Sequence, residues 1–292
     1  MSKLTDFLPG LAPDLVRRLA RTGNVQITAA DKGNLIDITS GTFTQTFAAA
    51  AALGNGWHCY IRNSSSGNIT IPSSDGRTNW IMYPGEMRLF LCDGSVLRSV
   101  VLTPFFLVFT SSGNFIKPPG YSTFDGLLWA GGGGGHHSVG GGGGGCSPIS
   151  IAAALLADST PVIVGAGGEA ISSSAGDGGT SSFAGFEASG GRSGYAQGWG
   201  GSPGSLPRVS RTDRNSVYGG GSGAASSSTA DAGGNSVYGG GGGGASSSNA
   251  GKSVLGGNGG SASQPGQAPG GGGGSGAAGL GARGEVRIWG IV

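Results

Sequence analysis

The sequence predicts a mainly β protein with few helices: a short N-terminal helix, an antiparallel β-sandwich or barrel, and a glycine-rich, polyglycine-II-like tip. Three observations predict it. Short β-prone runs recur about every ten residues between residues 23 and 104, with turn signals between them. The 66 glycines among 292 residues are uneven: residues 1–130 hold 13 and residues 131–292 hold 53. The chain also closes on a strand pattern, Glu285-Val286-Arg287-Ile288-Trp289-Gly290-Ile291-Val292, which a low-complexity linker would not carry.

Residues 1–22 carry the one good helical signal. Pro13 suits a first turn, Asp14 suits the positive end, and Arg17, Arg18 and Arg21 suit the negative end. Leu11, Leu15, Val16 and Leu19 recur at helical spacing. Such a helix is marginal alone. It either packs on its own domain or docks another subunit, and the docking role is carried forward as an expectation.

Residues 23–104 form the expected β domain. The runs are Val25–Ala29, Leu35–Thr39, Phe43–Phe47, Trp57–Arg62, Asn68–Pro72, Trp80–Tyr83, Met87–Cys92 and Val96–Leu102. Turns such as Gly54-Asn55-Gly56, Pro84-Gly85 and Asp93-Gly94 separate them. Alternation in Leu35-Ile36-Asp37-Ile38-Thr39 puts Ile36 and Ile38 on one face. Residues 105–130 read as connecting strands, Phe105–Phe109 and Phe124–Trp129, around two turns.

Residues 131–292 are about one-third glycine, in runs at 131–135, 140–145, 219–221, 239–244 and 270–274. Collagen needs a strict period of three with abundant proline, and only 13 prolines are present. A repeat of period 20, NSVYGGGSGAASSSTA at 215–230 and NSVYGGGGGGASSSNA at 235–250, argues for stacked similar units. Glycine lets backbones approach closely, so polyproline-II-like runs can bond laterally through their peptide groups. The intervening stretches are then pushed out as loops. Leu127–Ala130 and Val286–Trp289 are expected to pair and clamp the glycine-rich part between them.

Composition excludes several functions. Charged residues make up 11% and the net charge is +2, with no basic stripe for nucleic acid. The longest apolar run, Val100–Phe109, is too short to insert in a membrane. The N-terminus lacks a signal-peptide pattern, so synthesis in a cytoplasm is expected. Cys59, Cys92 and Cys146 have no metal-ligand spacing, and Cys59 and Cys92, in apolar strand-like stretches, read as buried free thiols.

The motifs that carry chemistry are weak. Gly200-Gly201-Ser202-Pro203-Gly204 matches a nucleophile elbow without the strand and helix it needs. Gly251-Lys252-Ser253 ends like a phosphate loop, but the required first glycine is Ser246. Beyond residue 131 the acids are Glu169, Asp177, Glu187, Asp213, Asp231 and Glu285, and no spacing marks a glycosidase pair. No enzyme activity and no cofactor are expected. His136-His137 is a weak metal candidate, more simply a solvent-exposed or hydrogen-bonded loop pair. Aromatic and arginine side chains amid Ser, Gly and Asn resemble a paratope. They make Tyr195, Trp199, Arg208, Arg211, Asp213, Arg214, Tyr218 and Tyr238 the binding candidates. The repeated Tyr218 and Tyr238 fit equivalent packing positions equally well.

The runs ITAADKGNLIDITSGTFTQTF, NSSSGNITI and YPGEMRLFLCDGS resemble a small β domain of bacteriophage tail-fibre and receptor-binding proteins. SSGNFIKPPGYSTFDGLLWAGGGGG, PVIVGAGGEA and GDGGTSSFAG resemble the glycine-rich adhesin domain of such fibres, in the style of T-even long tail fibre tips. The resemblance covers roughly residues 23–292. It implies a virion-borne adhesin, a homotrimer, attachment to other tail or baseplate proteins through the N-terminal segment, and binding to a host surface receptor. Lipopolysaccharide, an outer-membrane protein and a pilus all remain open as receptor. The alternatives are a depolymerase acting on surface polysaccharide and a structural glycine-rich protein without a ligand.

Overall fold

The computed structural model describes residues 16–72, 79–170, 175–195, 198–203, 215–224, 232–245 and 249–292. The first module contains β1 (Arg18–Arg21), β2 (Leu35–Ile38), β3 (Phe43–Thr44), α1 (Ala50–Leu53), β4 (Asn55–Asn63), β5 (Ile69–Ile71), β6 (Trp80–Met82), β7 (Met87–Asp93) and β8 (Leu97–Thr103). A five-stranded sheet in the order β1-β2-β4-β7-β8 faces a three-stranded sheet, β3-β5-β6. Ile36, Ile38, Trp57, Cys59, Ile61 and Phe90 of the first meet Ile69, Ile71 and Met82 of the second in one buried cluster. The two sheets stay open, as a sandwich and not a barrel.

Two expectations are corrected here. The end of the expected N-terminal helix is strand β1, parallel to β2. Leu35 and Thr39 donate backbone hydrogen bonds to the Arg17 and Arg21 carbonyls, both at 2.9 Å. The Arg18 and Arg21 side chains pair with Asp37 and Asp31. Sheet pairing thus satisfies both the backbone and the charges of a segment whose isolated helix is marginal. Residues 1–15 lie outside the described residues. The sheets are also mixed: β1–β2, β2–β4 and β3–β5 run parallel. The chain crosses to the other sheet between β2 and β4, and so re-enters in the same direction.

Asp37 is fully buried and accepts from Arg18, Arg62 and Ser64. The Arg62 guanidinium foremost, with Ser64 and Arg18, holds its carboxyl well below the usual carboxylate range against the effect of burial. Cys59 and Cys92 are free and buried, as expected, and so is Cys146. Burial pushes the Cys146 thiol up to about 12.

The second module stands on β9 (Phe106–Phe109), β10 (Gly113–Ile116), β11 (Thr123–Trp129), β12 (Cys146–Ala152), β13 (Ser159–Ile163), β14 (Ser181–Phe183), β15 (Phe186–Ala188) and β16 (Glu285–Ile291). Two four-stranded sheets, β12-β11-β16-β9 and β10-β13-β14-β15, enclose Phe115, Phe124, Leu128, Ile149, Val162, Phe183, Val286 and Ile288. The expected clamp is present: Leu128 pairs with Val286 and Leu127 with Arg287 across β11 and β16. The Arg287 guanidinium lies 4.6 Å from the centre of the Trp129 ring. The connecting strands thus form one base with the closing strand. β12 to β15, which the sequence reading left unassigned within the glycine-rich part, complete it.

The modules interlock around a buried ion pair. Arg88 meets Glu86, then donates to the Pro119 carbonyl at 2.9 Å. Tyr121 donates to Glu86 at 2.9 Å, and Tyr83 donates to the Ile116 carbonyl at 3.0 Å. Burial raises the Glu86 carboxyl's hold on a proton, and Arg88, the Tyr121 hydroxyl and the Tyr83 backbone N–H oppose it.

Candidate functional site

The glycine runs form a lattice. Gly131–Gly135 leaves β11 and Gly140–Gly145 returns to β12. None of these glycines has positive φ, and none lies in a sheet strand. Their bonds repeat every third residue, the period of a polyproline-II-like helix. Gly131 and Gly134 donate to Gly179 and Gly176, Gly132 and Gly135 to Ala282 and Gly279, and Gly133 to Gly142. Their carbonyls accept from Gly168 on one side, Gly191 and Gly194 on a second, and Gly273 on a third. One run is therefore bonded to six neighbours.

Gly140–Gly145 repeats the arrangement. It donates to the segments containing Ala224, Gly273 and Arg192, and accepts from those containing Gly133, Gly201 and Gly243. A Cβ on Gly143 would overlap the Gly240 carbonyl, and one on Gly135 the Gly274 carbonyl. Glycine is required because backbone occupies the space that any side chain would take.

This lattice has two ends. At the base, next to the β sheets, the repeat forms three parallel rungs, joined through Ser216, Ser236 and Ser253. The Asn215 side chain accepts from the Asn235 backbone at 2.8 Å, and Asn235 accepts from Lys252 at 2.7 Å. Tyr218 and Tyr238 stack on each other, and the Trp129 indole donates to the Tyr238 carbonyl at 2.5 Å. The third rung, Lys252-Ser253-Val254-Leu255-Gly256, is a repeat copy that sequence reading missed. Its interval shrinks from 20 to 17 residues and Leu255 replaces tyrosine, leaving Ser-Val-x-Gly-Gly as the shared signal.

At the far end, five to six glycines or about 15 Å from the base, the chain reverses at His136–Val139. His136 and Val139 exchange backbone bonds of 2.9 and 2.7 Å. His137 takes φ +37 in that turn, a region that glycine enters freely and a branched side chain enters under strain. Glycine flanks the turn on both sides, yet the turn itself holds imidazoles. The His136 and His137 rings meet edge to face at 4.3 Å, and Tyr195 meets His136 edge to face at 5.3 Å. Tyr195 is 67% exposed. Gly194 donates to Gly134, which fixes the tyrosine-bearing turn against the histidine-bearing one.

The sequence-predicted residues therefore divide. Tyr195 joins His136 and His137 at the far end. Trp199 lies half-exposed on the flank, its carbonyl accepting from Arg192, whose side chain pairs with Asp177 at 2.8 Å. Tyr218 and Tyr238 lie at the base. Arg208, Arg211, Asp213 and Arg214 fall outside the described residues. Among the described residues no cluster of three or more metal-ligating side chains is present.

The sequence model of a family described as a glycine-rich domain matches residues 110–289. The chain belongs to this glycine-rich domain family. The match begins between β9 and β10 and ends in β16, so it takes in the base strands β10 to β15 and most of β16 as well as the lattice. In this glycine-rich domain the sheets and the lattice are one unit. A comparison with curated proteins finds no match.

Proposed function

We propose that this protein is a bacteriophage tail-fibre adhesin that attaches the virion to a bacterial surface receptor through the glycine-rich domain, without catalysis. The observation that carries the reading is the strained, histidine-bearing turn at the far end of the lattice, with the exposed Tyr195 ring beside it. A scaffold bonded through its own peptide groups holds a few aromatic side chains in place at little entropic cost, which is how a small binding surface gains affinity. The β module and the segment before it then serve attachment to tail or baseplate proteins. Assembly as a homotrimer would multiply weak contacts.

The test is adsorption of the purified full chain to host cells and to mutants lacking lipopolysaccharide, single outer-membrane proteins or pili. Binding lost in one mutant class supports the reading and names the receptor. Binding to none of the cells overturns it. Tyr195→Ala with His136→Ala is expected to reduce adsorption at least tenfold. An Arg208→Ala, Arg211→Ala, Arg214→Ala variant tests these sequence-predicted candidates in parallel. Release of reducing sugar from host polysaccharide would instead mark a depolymerase.

A further inference from the structure

We infer that the outward side of the base sheet β12-β11-β16-β9 is a binding site for a neutral polysaccharide chain, with the Trp289 and Phe106 rings as its platform. The inward side of this sheet closes the buried cluster with Phe124, Leu128, Val286 and Ile288. Alternation sends the residues between them to the other side. The register then sets them in rows across the strands. Asp125 pairs with Trp289, and Trp289 with Phe106. One step along, Leu127 pairs with Arg287, and Arg287 with Val108. Phe106 is 56% exposed and Val108 41%. The Trp289 and Phe106 rings are 17° from parallel with centroids 6.0 Å apart. At that separation they are offset and do not cover each other, so aromatic ring face is left for a ligand.

A polar group flanks the platform on each side, and both are held in place. Ser150 donates to Asp125 Oδ1 at 2.8 Å, which leaves the second carboxylate oxygen as an acceptor. Arg287 donates from Nε to Glu285 at 2.7 Å and lies over the Trp129 ring, yet 32% of its side chain stays exposed. A pyranose ring has an apolar face of C–H groups and a rim of hydroxyls. The face packs on aromatic rings, and the rim donates to a carboxylate and accepts from a guanidinium. Trp289 shares a row with Asp125 and lies two residues from Arg287 on the same side of β16, so ring, acceptor and donor converge. Charge selects the class of polymer. The four strands carry three charged residues, Asp125, Glu285 and Arg287, and the last two neutralise each other. An acidic polymer is met by the Asp125 carboxylate, whereas a neutral one meets hydrogen-bonding groups. Area argues against a protein: with 150–250 Å² for a whole aromatic side chain, the partly exposed patch offers on the order of 300 Å². A stable protein interface takes ~800 Å² from each partner. The site is separate from the far-end turn. Trp289 lies four residues along β16 from Glu285, so about 14 Å of strand and the length of the lattice stand between it and His136.

The test is native electrophoresis of the full chain through gels that carry dextran, galactomannan or a soluble β-glucan, with alginate as the acidic comparison. Retardation by at least one neutral polysaccharide, and none by alginate, is expected. Trp289→Ala and Phe106→Ser are each expected to raise the polysaccharide concentration for half retardation at least tenfold, with unchanged circular dichroism spectra. Asp125→Asn should raise it several-fold. Phe106 is the more exposed ring, so its variant decides the matter where Trp289→Ala does not fold. Tyr195→Ala with His136→Ala should be retarded like the wild type, even where it no longer adsorbs to cells. Unchanged migration of the wild type in all three neutral gels overturns the proposal. So do platform variants retarded like the wild type, and so does alginate that binds as tightly as the neutral polymers. Retardation lost in the far-end variant would overturn it too and assign the glycan to the far-end turn.

Discussion

The Arg88 guanidinium meets the Glu86 carboxylate at 2.6 Å with both side chains wholly shielded from water. Arg88 also lies 4.4 Å from the centre of the Trp80 ring, and its remaining donors reach Ser99 and Pro119. Removing one partner strands the other charge in the junction between modules. Glu86→Leu is expected to destabilise the chain by about 3–5 kcal/mol in urea unfolding, and the double variant with Arg88→Met by distinctly less. Equal losses for the single and double variants would show that the pair is not the joint.

The lattice predicts a sharp contrast between glycines. Gly143→Ala places a methyl group on the Gly240 carbonyl, with backbone on every side and nothing to rotate away. A loss of about 3 kcal/mol or more, or failure of the glycine-rich domain to fold, is expected. Gly113→Ala meets only the edge of the Phe109 ring at 3.7 Å and should be nearly neutral. Thermal unfolding of the two variants side by side measures the difference.

Asp37 sets a dependence on acid. Its folded carboxyl holds its charge below the usual range, so the stabilisation is fully present above the unfolded value near 4 and fades as pH falls toward the folded value. Asp37→Asn should lose roughly 2–3 kcal/mol at neutral pH, since Arg62, Ser64 and Arg18 lose a charged acceptor. The gap between variant and wild type should narrow below pH 4. A gap that stays constant down to pH 2 would contradict the assignment.

Tyr218 and Tyr238, with ring centroids 4.6 Å apart and planes 12° from parallel, are expected to show coupling of about 0.5–1.5 kcal/mol in a double-mutant cycle to leucine. Both single variants should leave adsorption within about twofold of wild type if binding resides at the far end. A tenfold loss in either would move the site to the base.

Much of the fold was legible because its strands are written in side chains. Leu35–Ile38, Met87–Asp93 and Glu285–Ile291 lie where alternation and turn residues put them. Where the determinants are not local, reading failed. Arg18–Arg21 has a helical pattern and becomes a strand because Asp31 and Asp37, brought up by the sheet, take its arginines. β12 to β15 are rich in Ser and Ala, and pairing with β11 for β12, with β10 for β13, and onward from β13 to β14 and β15 makes them strands. In the candidate site, single residue types marked Tyr195, but nothing in the chain order sets it beside His136. That juxtaposition depends on Gly194 bonding to Gly134 across the lattice. The repeat was legible as two copies, while the third lost its tyrosine and its spacing.

The lattice also sets how this protein meets changes of temperature. Unfolding an ordinary core exposes apolar surface and raises the heat capacity, which bends the stability curve and weakens the fold in the cold. Unfolding the glycine runs exposes chiefly peptide groups, whose hydration lowers the heat capacity. The glycine runs that carry His136, His137 and Tyr195 are therefore expected to add less heat capacity per residue on unfolding than the apolar-cored sheets of either module, and so to lose less of their hold in the cold.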